Sequence, residues 1–216
     1  MSEGRAPLRP RRIALLVSSM GRGGAERVAA PLCNAWVAQG REVWLIATYL
    51  GAREGTFPLD ERVRLRFLSD FSDSATRFRP GPLWKLVTLR RWLAREHPDV
   101  VVSFLPNVNV LAIAATRGLG LPLVVCERAD PAAGVEMAWP LHLARFLLYP
   151  FASGVAVQTA SAARRLRRRL LSCRNMFVVP NPLPRHLAAE PLTAQAPEEG
   201  GIVVAVGRLS PEKGFD

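Results

Sequence analysis

Short, unbroken apolar runs recur along this chain at wide intervals: RIALLVS at 12–18, EVWLIAT at 42–48, DVVVSF at 99–104 and LPLVVC at 121–126. A strand with one wet face alternates apolar and polar residues, so a continuous run marks a strand buried on both faces, inside a parallel sheet. Parallel neighbours cannot be joined by a tight turn and need a crossover, usually a helix. The intervening segments supply helices. Residues 25–39 place Val28, Leu32, Ala35 and Trp36 on one stripe and stop at Gly40, with Pro31 expected to kink the helix locally. Further helices are predicted at 83–96, ended by His97-Pro98, at 108–117, at 140–149, and from a Ser161 cap to 171. Strands are predicted at 63–68, 154–158 and 177–179, and the apolar stretch 146–157 reads as a buried helix leading into a strand. This alternation is that of an α/β, doubly wound parallel sheet of Rossmann-like type.

The organisation around that unit is also legible. Residues 1–11 are basic and Pro-rich, a leader expected to be disordered; 12–182 form the doubly wound domain; 183–200, rich in Pro, Ala and Glu, read as a linker. A fresh apolar strand at 202–206 opens the segment 201–216, and one strand with a loop cannot bury itself. The expectation is a second Rossmann-like domain truncated just after it begins. No apolar run approaches the roughly 18 residues of a spanning helix, and no secretion signal is evident at the N-terminus. Cys33, Cys126 and Cys173 are odd in number and far apart, which suits reduced thiols in the cytoplasm.

The formal charge is +11, from 29 basic and 18 acidic residues. Its sign suits a nucleic acid, an anionic membrane or a phosphate-rich substrate. Because Lys85 and Lys213 are the only lysines, an arginine bias from genomic base composition explains it equally well. A basic nucleic-acid-binding module is the non-enzyme alternative, but no recognised motif accompanies the charge and no nucleic-acid partner is expected. Two helices are candidates for peripheral attachment to an anionic membrane surface. One carries Lys85, Arg90, Arg91 and Arg95 beside Trp84, Leu86, Leu89, Trp92 and Leu93; the other crowds Arg164, Arg165, Arg167, Arg168 and Arg169. Ordinary solvated helix faces are the competing reading.

Three segments carry candidate chemistry, each following a predicted strand at the carboxyl edge where ligands of such sheets bind. The first is Met20-Gly21-Arg22-Gly23-Gly24-Ala25-Glu26, where glycines allow close backbone approach and a helix start offers free N–H groups to phosphate. A dinucleotide fingerprint needs glycine where Glu26 stands and an acid at the end of the second strand, where Ile46-Ala47-Thr48-Tyr49 is neutral; a nicotinamide dehydrogenase or epimerase is disfavoured. No P-loop pattern occurs. The second is Gly207-Arg208-Leu209-Ser210-Pro211-Glu212-Lys213-Gly214, whose two cations suit two phosphates of a nucleotide diphosphate. The third pairs Phe104-Leu105-Pro106-Asn107 with Cys126-Glu127-Arg128-Ala129-Asp130, which would open onto one cleft or simply form a polar turn with a local Arg–Asp pair.

In combination these segments resemble the GT-B glycosyltransferases of family 4. The resemblance rests on the GGAE loop at Gly23-Gly24-Ala25-Glu26, the interdomain Val179-Pro180-Asn181-Pro182, and the G-R-x-x-x-x-K-G-x-D loop from Gly207 to Asp216. It implies retaining transfer of a hexosyl-type sugar from a nucleotide-sugar donor to a polysaccharide or lipid-linked acceptor, without metal or other cofactor. Arg208 and Lys213, with Gly23 and Gly24, would bind the donor diphosphate; Glu127, Arg128, Asp130 and Asn107 are acceptor-site candidates, 127–130 being similar to the family's SERxDP-type segment. The family's E-x7-E motif lies deep in the second domain, beyond residue 216. The chain is therefore expected to have negligible transferase activity, or to be a truncated relative that binds acceptor or partner without catalysis.

Overall fold

Strand β1 (Arg12–Val17) lies in the interior of a seven-stranded sheet, paired in parallel with β2 (Glu42–Ala47) on one side and β4 (Val100–Phe104) on the other. The computed structural model describes residues 11–21, 23–49, 57–71, 81–128, 138–172 and 175–182. The remaining strands are β3 (Arg64–Phe67), β5 (Leu123–Cys126), β6 (Gly154–Val157) and β7 (Met176–Val178), in the order β3-β2-β1-β4-β5-β6-β7 with every pair parallel. The interior strands read as continuous apolar runs. Edge strand β3 does not: it is RLRF, with Arg64 and Arg66 exposed, and a charged edge resists further pairing.

The chain winds outward from β1 in both directions, and right-handed crossovers therefore place helices on both faces. Helix α1 (Gly24–Ala38) covers one face, packing with Leu15, Val17, Leu45, Phe104 and Cys126. The opposite face carries α2 (Pro82–Glu96), α3 (Pro106–Thr116), α4 (Trp139–Leu148) and α5 (Ala160–Arg167) over Leu16, Ile46, Val101, Val125 and Val155. Helix α2 starts with Pro82 and stops at His97, which is left-handed (φ 45°) just before Pro98. Its inward residues include Trp92, edge-on to Trp44 (5.8 Å between centroids) and stacked on Phe71 (5.4 Å).

Three local expectations are corrected. Helix α1 continues through Pro31, which lies on its exposed side, and it buries Ala25, Glu26, Val28, Ala29, Ala30, Cys33 and Val37. Leu32 and Trp36 are half-buried and Ala35 is exposed, so the true stripe is rotated from the expected one. The cap of α5 is Thr159, whose hydroxyl accepts from the Ala162 N–H at 3.1 Å, not Ser161. Helix α4 was expected to be buried, yet Phe146 and Leu147 face solvent while Arg145 is sealed inside. Residues 1–10 of the leader 1–11, the linker 183–200 and the segment 201–216 lie outside the described residues.

At the amino edge, the Asp99 carboxylate accepts the backbone N–H groups of Arg11 (2.7 Å) and Arg12 (2.9 Å), fixing the entry of β1 beside β4. These bonds hold its pKa below the ordinary 3.8. A carboxyl whose pKa is lowered on folding stabilises the fold above its unfolded pKa, and that stabilisation is lost as pH falls through the folded value. Urea midpoints measured as a function of pH should therefore fall more steeply below about pH 4 for the native chain than for Asp99→Asn. Identical acid limbs would remove this role.

Candidate functional site at the carboxyl edge of the sheet

The strand order reverses between β1 and β4, and in open α/β sheets the crevice at this switch point is where ligands bind. The two connections that flank it are unusual. After β1 the chain turns into α1 through Gly23, the N-cap residue, with extended backbone (φ −94°, ψ 165°). Glu26, third residue of the helix and 5 % exposed, folds back over this turn and accepts from the Ser19 hydroxyl at 2.8 Å. A Cβ at Gly23 would lie 2.9 Å from Glu26 Cδ and overlap its carboxylate, whereas one at Gly24 would meet nothing within 4 Å. The carboxylate thus sits at the positive end of α1, and a side chain at 23 would displace it. After β4, Leu105 caps α3 at φ 75°, a conformation rare for a branched residue, and Pro106 opens the helix.

Beneath the β4 and β5 ends lies a sealed polar cluster. Glu127 and Arg145 are 3 % and 4 % exposed, with Arg145 Nε 3.1 Å from Glu127 Oε1. The N–H is not aimed along that line, so the contact is ionic rather than a hydrogen bond, and Arg145 Nη2 has no hydrogen-bond partner among the described residues. The Tyr149 hydroxyl donates to the same Glu127 oxygen. Asn109 Nδ2 donates to the Tyr149 oxygen (3.0 Å) and the Cys126 carbonyl (3.2 Å), while its Oδ1 accepts from Ser103 Oγ (2.7 Å). Burial pushes the Glu127 carboxyl up, against the opposing pull of Arg145, Tyr149 and Asn109. Burial and the neighbouring carboxylate push the Tyr149 phenol well above 10, so it remains a donor. Burial also raises the Cys33 and Cys126 thiols to about 12, which removes both as nucleophiles at neutral pH.

Arg128 projects to the other face of the sheet. Its guanidinium lies 4.1 Å over the Phe104 ring and Nη1 donates to Asn181 Oδ1 at 2.6 Å, while its carbonyl accepts from Gln158 Nε2 at 3.0 Å. The acceptor-candidate loop is thereby tied to the segment that leaves β7. On the other side of the switch point, a cavity of about 770 Å³ opens over the ends of β2 and β3 between the first turns of α2 and α3. Its walls include Ala47, Phe67, Leu68, Leu86, Val110 and Leu111; Asn107 and Thr48 provide polar atoms. Lys85, the one charged residue among the described wall residues, sits against the Tyr49 ring (3.0 Å to the centroid), and burial lowers its pKa. A mostly apolar cavity of this size with a few polar groups is the usual form of a small-molecule site.

Residues 23–182 match the family model of the glycosyl transferase 4-like domain, most of the described fold. The chain belongs to this family. A relative from Campylobacter jejuni, "GalNAc-alpha-(1->4)-GalNAc-alpha-(1->3)-diNAcBac-PP-undecaprenol alpha-1,4-N-acetyl-D-galactosaminyltransferase", is 28 % identical over 208 residues, covering 94 % of this chain and 54 % of the relative. Among solved structures, the fold is similar to sucrose-phosphate synthase from Thermosynechococcus elongatus (TM-score 0.60, 13 % identity, 79 % of this chain and 48 % of that one). It is also similar to MurG from Acinetobacter baumannii (TM-score 0.56, 19 % identity, 85 % and 48 %). A third is Anabaena HepE, solved with UDP and glucose (TM-score 0.59, 15 % identity, 82 % and 46 %). The likeness shows a GT-B fold, of which this chain contains the Rossmann-like domain described above. The chain spans about half the length of the relatives it matches.

The residues expected from the sequence to form the site distribute unevenly. Gly23 and Gly24 lie at the switch point, Asn107 lines the apolar cavity, and Arg128 reaches Asn181. Glu127 lies below, engaged by Arg145 and Tyr149. Asp130, Arg208 and Lys213 fall outside the described residues. Arg145, Tyr149 and Asn109 were not singled out in the sequence; the signal was a lone arginine, with tyrosine four residues on, in an otherwise apolar helix. The glycine pair gives a direct test. Gly23→Ala should displace Glu26 and cost roughly 0.3–1 kcal/mol, the worth of a carboxylate near a helix N-terminus. Gly24→Ala should be neutral or stabilising by up to about 1 kcal/mol. Equal denaturation midpoints for the two variants would contradict the assigned role of Glu26.

Proposed function

We propose that this chain is the acceptor-side half of a retaining, nucleotide-sugar-dependent glycosyltransferase that extends a lipid-linked glycan at the cytoplasmic face of a membrane. The apolar cavity beside the switch point is the observation that carries the reading. A free polysaccharide has no need of walls such as Leu68, Val110 and Leu111, whereas the first isoprenoid units of a lipid carrier do. The name of the Campylobacter jejuni relative, with its PP-undecaprenol carrier, supports the same acceptor class. In this reading Asn107 in the cavity wall and Arg128 across the switch point would meet the polar part of the acceptor, and the buried Glu127 would act as a positioning residue for the Arg128 loop.

In this reading the bond from the donor sugar's anomeric carbon to the nucleotide diphosphate breaks, and the acceptor hydroxyl oxygen bonds to the same face. Its proton leaves with the diphosphate. Arg208 and Lys213 hold that diphosphate and stabilise the charge it gains, with Gly23 and Gly24 facing it across the cleft. The test is acceptor binding, since the chain spans about half of its relatives. Calorimetric titration with a farnesyl-diphosphate-linked N-acetylhexosamine should give at least roughly tenfold tighter binding than the same sugar diphosphate without the isoprenoid, given ~0.8 kcal/mol per buried methylene. Leu111→Gln should erase most of that difference. Equal affinity of the native chain for both compounds would sink the lipid-linked reading.

A further inference from the structure

Helix α4 is inside out. Trp139, Leu143, Phe146 and Leu147 follow the i, i+4, i+7, i+8 spacing of a single stripe, which in a surface helix normally faces the core. Here that stripe faces solvent: the four residues are 75 %, 48 %, 37 % and 49 % exposed, and Phe151, just past the helix, is 50 % exposed. The inward side instead carries Arg145 and Tyr149. The stripe begins at the carboxyl edge, where the chain leaves Glu127 and Arg128, and descends about 15 Å toward the amino edge, where β6 starts. A domain packed on the carboxyl edge would cover Trp139 and leave Leu147 and Phe151 bare.

Among the described residues, the charge around the stripe has one sign. Between residues 138 and 182 the sequence holds seven arginines and no Asp or Glu. Arg164, Arg167 and Arg168 are exposed on α5, in the same helical layer as α4, and the Arg117 guanidinium lies 3.8 Å over the Phe151 ring. A second copy docking through this face would bring two wholly cationic surfaces together. A bilayer with anionic headgroups meets both features, since indole and phenyl rings favour the interface and arginines pair with lipid phosphates. The two helices with the basic sequence pattern offer less. The apolar side chains Leu89, Trp92 and Leu93 of α2 are spent on the core, as are Ala162, Ala163 and Leu166 of α5.

We propose that the outward face of α4, continued by Phe151, is the seat on which this protein rests on an anionic lipid bilayer, with the α5 arginines on its headgroups. The inference deepens the membrane attachment contained in the proposed function and names its surface. It is tested by co-sedimentation of the full chain with phosphatidylcholine vesicles, with and without phosphatidylglycerol. Two variants keep charge effects separate: neutral Trp139→Ser/Leu143→Ser/Leu147→Ser on α4, and Arg91→Ser/Arg95→Ser on the exposed side of α2. The native chain should bind the anionic vesicles, the α4 variant roughly tenfold or more weakly with its thermal midpoint retained, and the α2 variant within about twofold of native. No binding of the native chain would remove the membrane attachment and this surface together, leaving the acceptor titration to stand separately. Native-like binding by the α4 variant would overturn the surface alone. A native dimer split by the α4 substitutions, with vesicle binding unchanged, would overturn it too and make the stripe a subunit interface.

Discussion

The buried ion pair between Glu127 and Arg145 constrains more of this molecule than any other contact. Each charge costs several kcal/mol to bring out of water, and removing one partner leaves the other stranded at a cost of about 3–5 kcal/mol. The Tyr149 hydroxyl, held by Asn109 and through it by Ser103, shares that burden. The cluster therefore joins β4, α3, β5 and α4 through specific polar contacts, where apolar packing alone would tolerate a rotated helix. It fixes which side of α4 faces inward. The pair does not by itself offset what the outward stripe forgoes, since full burial of a large apolar side chain is worth roughly 1.5–3 kcal/mol and four are exposed. A surface that covers the stripe does offset it, which links the interior charge to the proposed lipid seat.

The same cluster underlies the cleft. Alternation along β5 sends Val125 and Glu127 to one face and Cys126 and Arg128 to the other, so one strand end serves both the interior and the ligand side. Glu127, anchored below, holds the backbone from which Arg128 reaches Phe104 and Asn181. Across the switch point, Glu26 does comparable work for the glycine turn, occupying the space that a side chain at position 23 would need. The apolar cavity then lies beside a preorganised polar rim rather than inside a uniform pocket.

The central sheet was legible because interior parallel strands leave a plain signature: wet on neither face, they appear as unbroken apolar runs, as β1, β2, β4 and β5 do. The family was legible from three short motifs in order. Rotation of the helices was not. A stripe in the sequence shows that a helix has two unlike sides, and only packing shows which is inward; the buried stripe of α1 is turned from the expected one, and α4, expected to be buried, exposes its apolar stripe. The 127–130 segment read as one polar loop because sequence proximity hides the alternation that separates Glu127 from Arg128. The apolar cavity draws on four elements distant in sequence, and no local pattern announces it. Choosing Ser161 over Thr159 as the α5 cap was a near-degenerate decision between two hydroxyls two residues apart.

The most direct test of the central claim is a double-mutant cycle on Glu127 and Arg145, read from urea denaturation of the native chain, Glu127→Gln, Arg145→Met and the double variant. If the pair organises this edge of the sheet, each single variant should lose about 3–5 kcal/mol and the double little more than either, leaving a coupling energy above roughly 1.5 kcal/mol. Additive losses with a coupling near zero would mean that the two charges are buried side by side without holding the fold together.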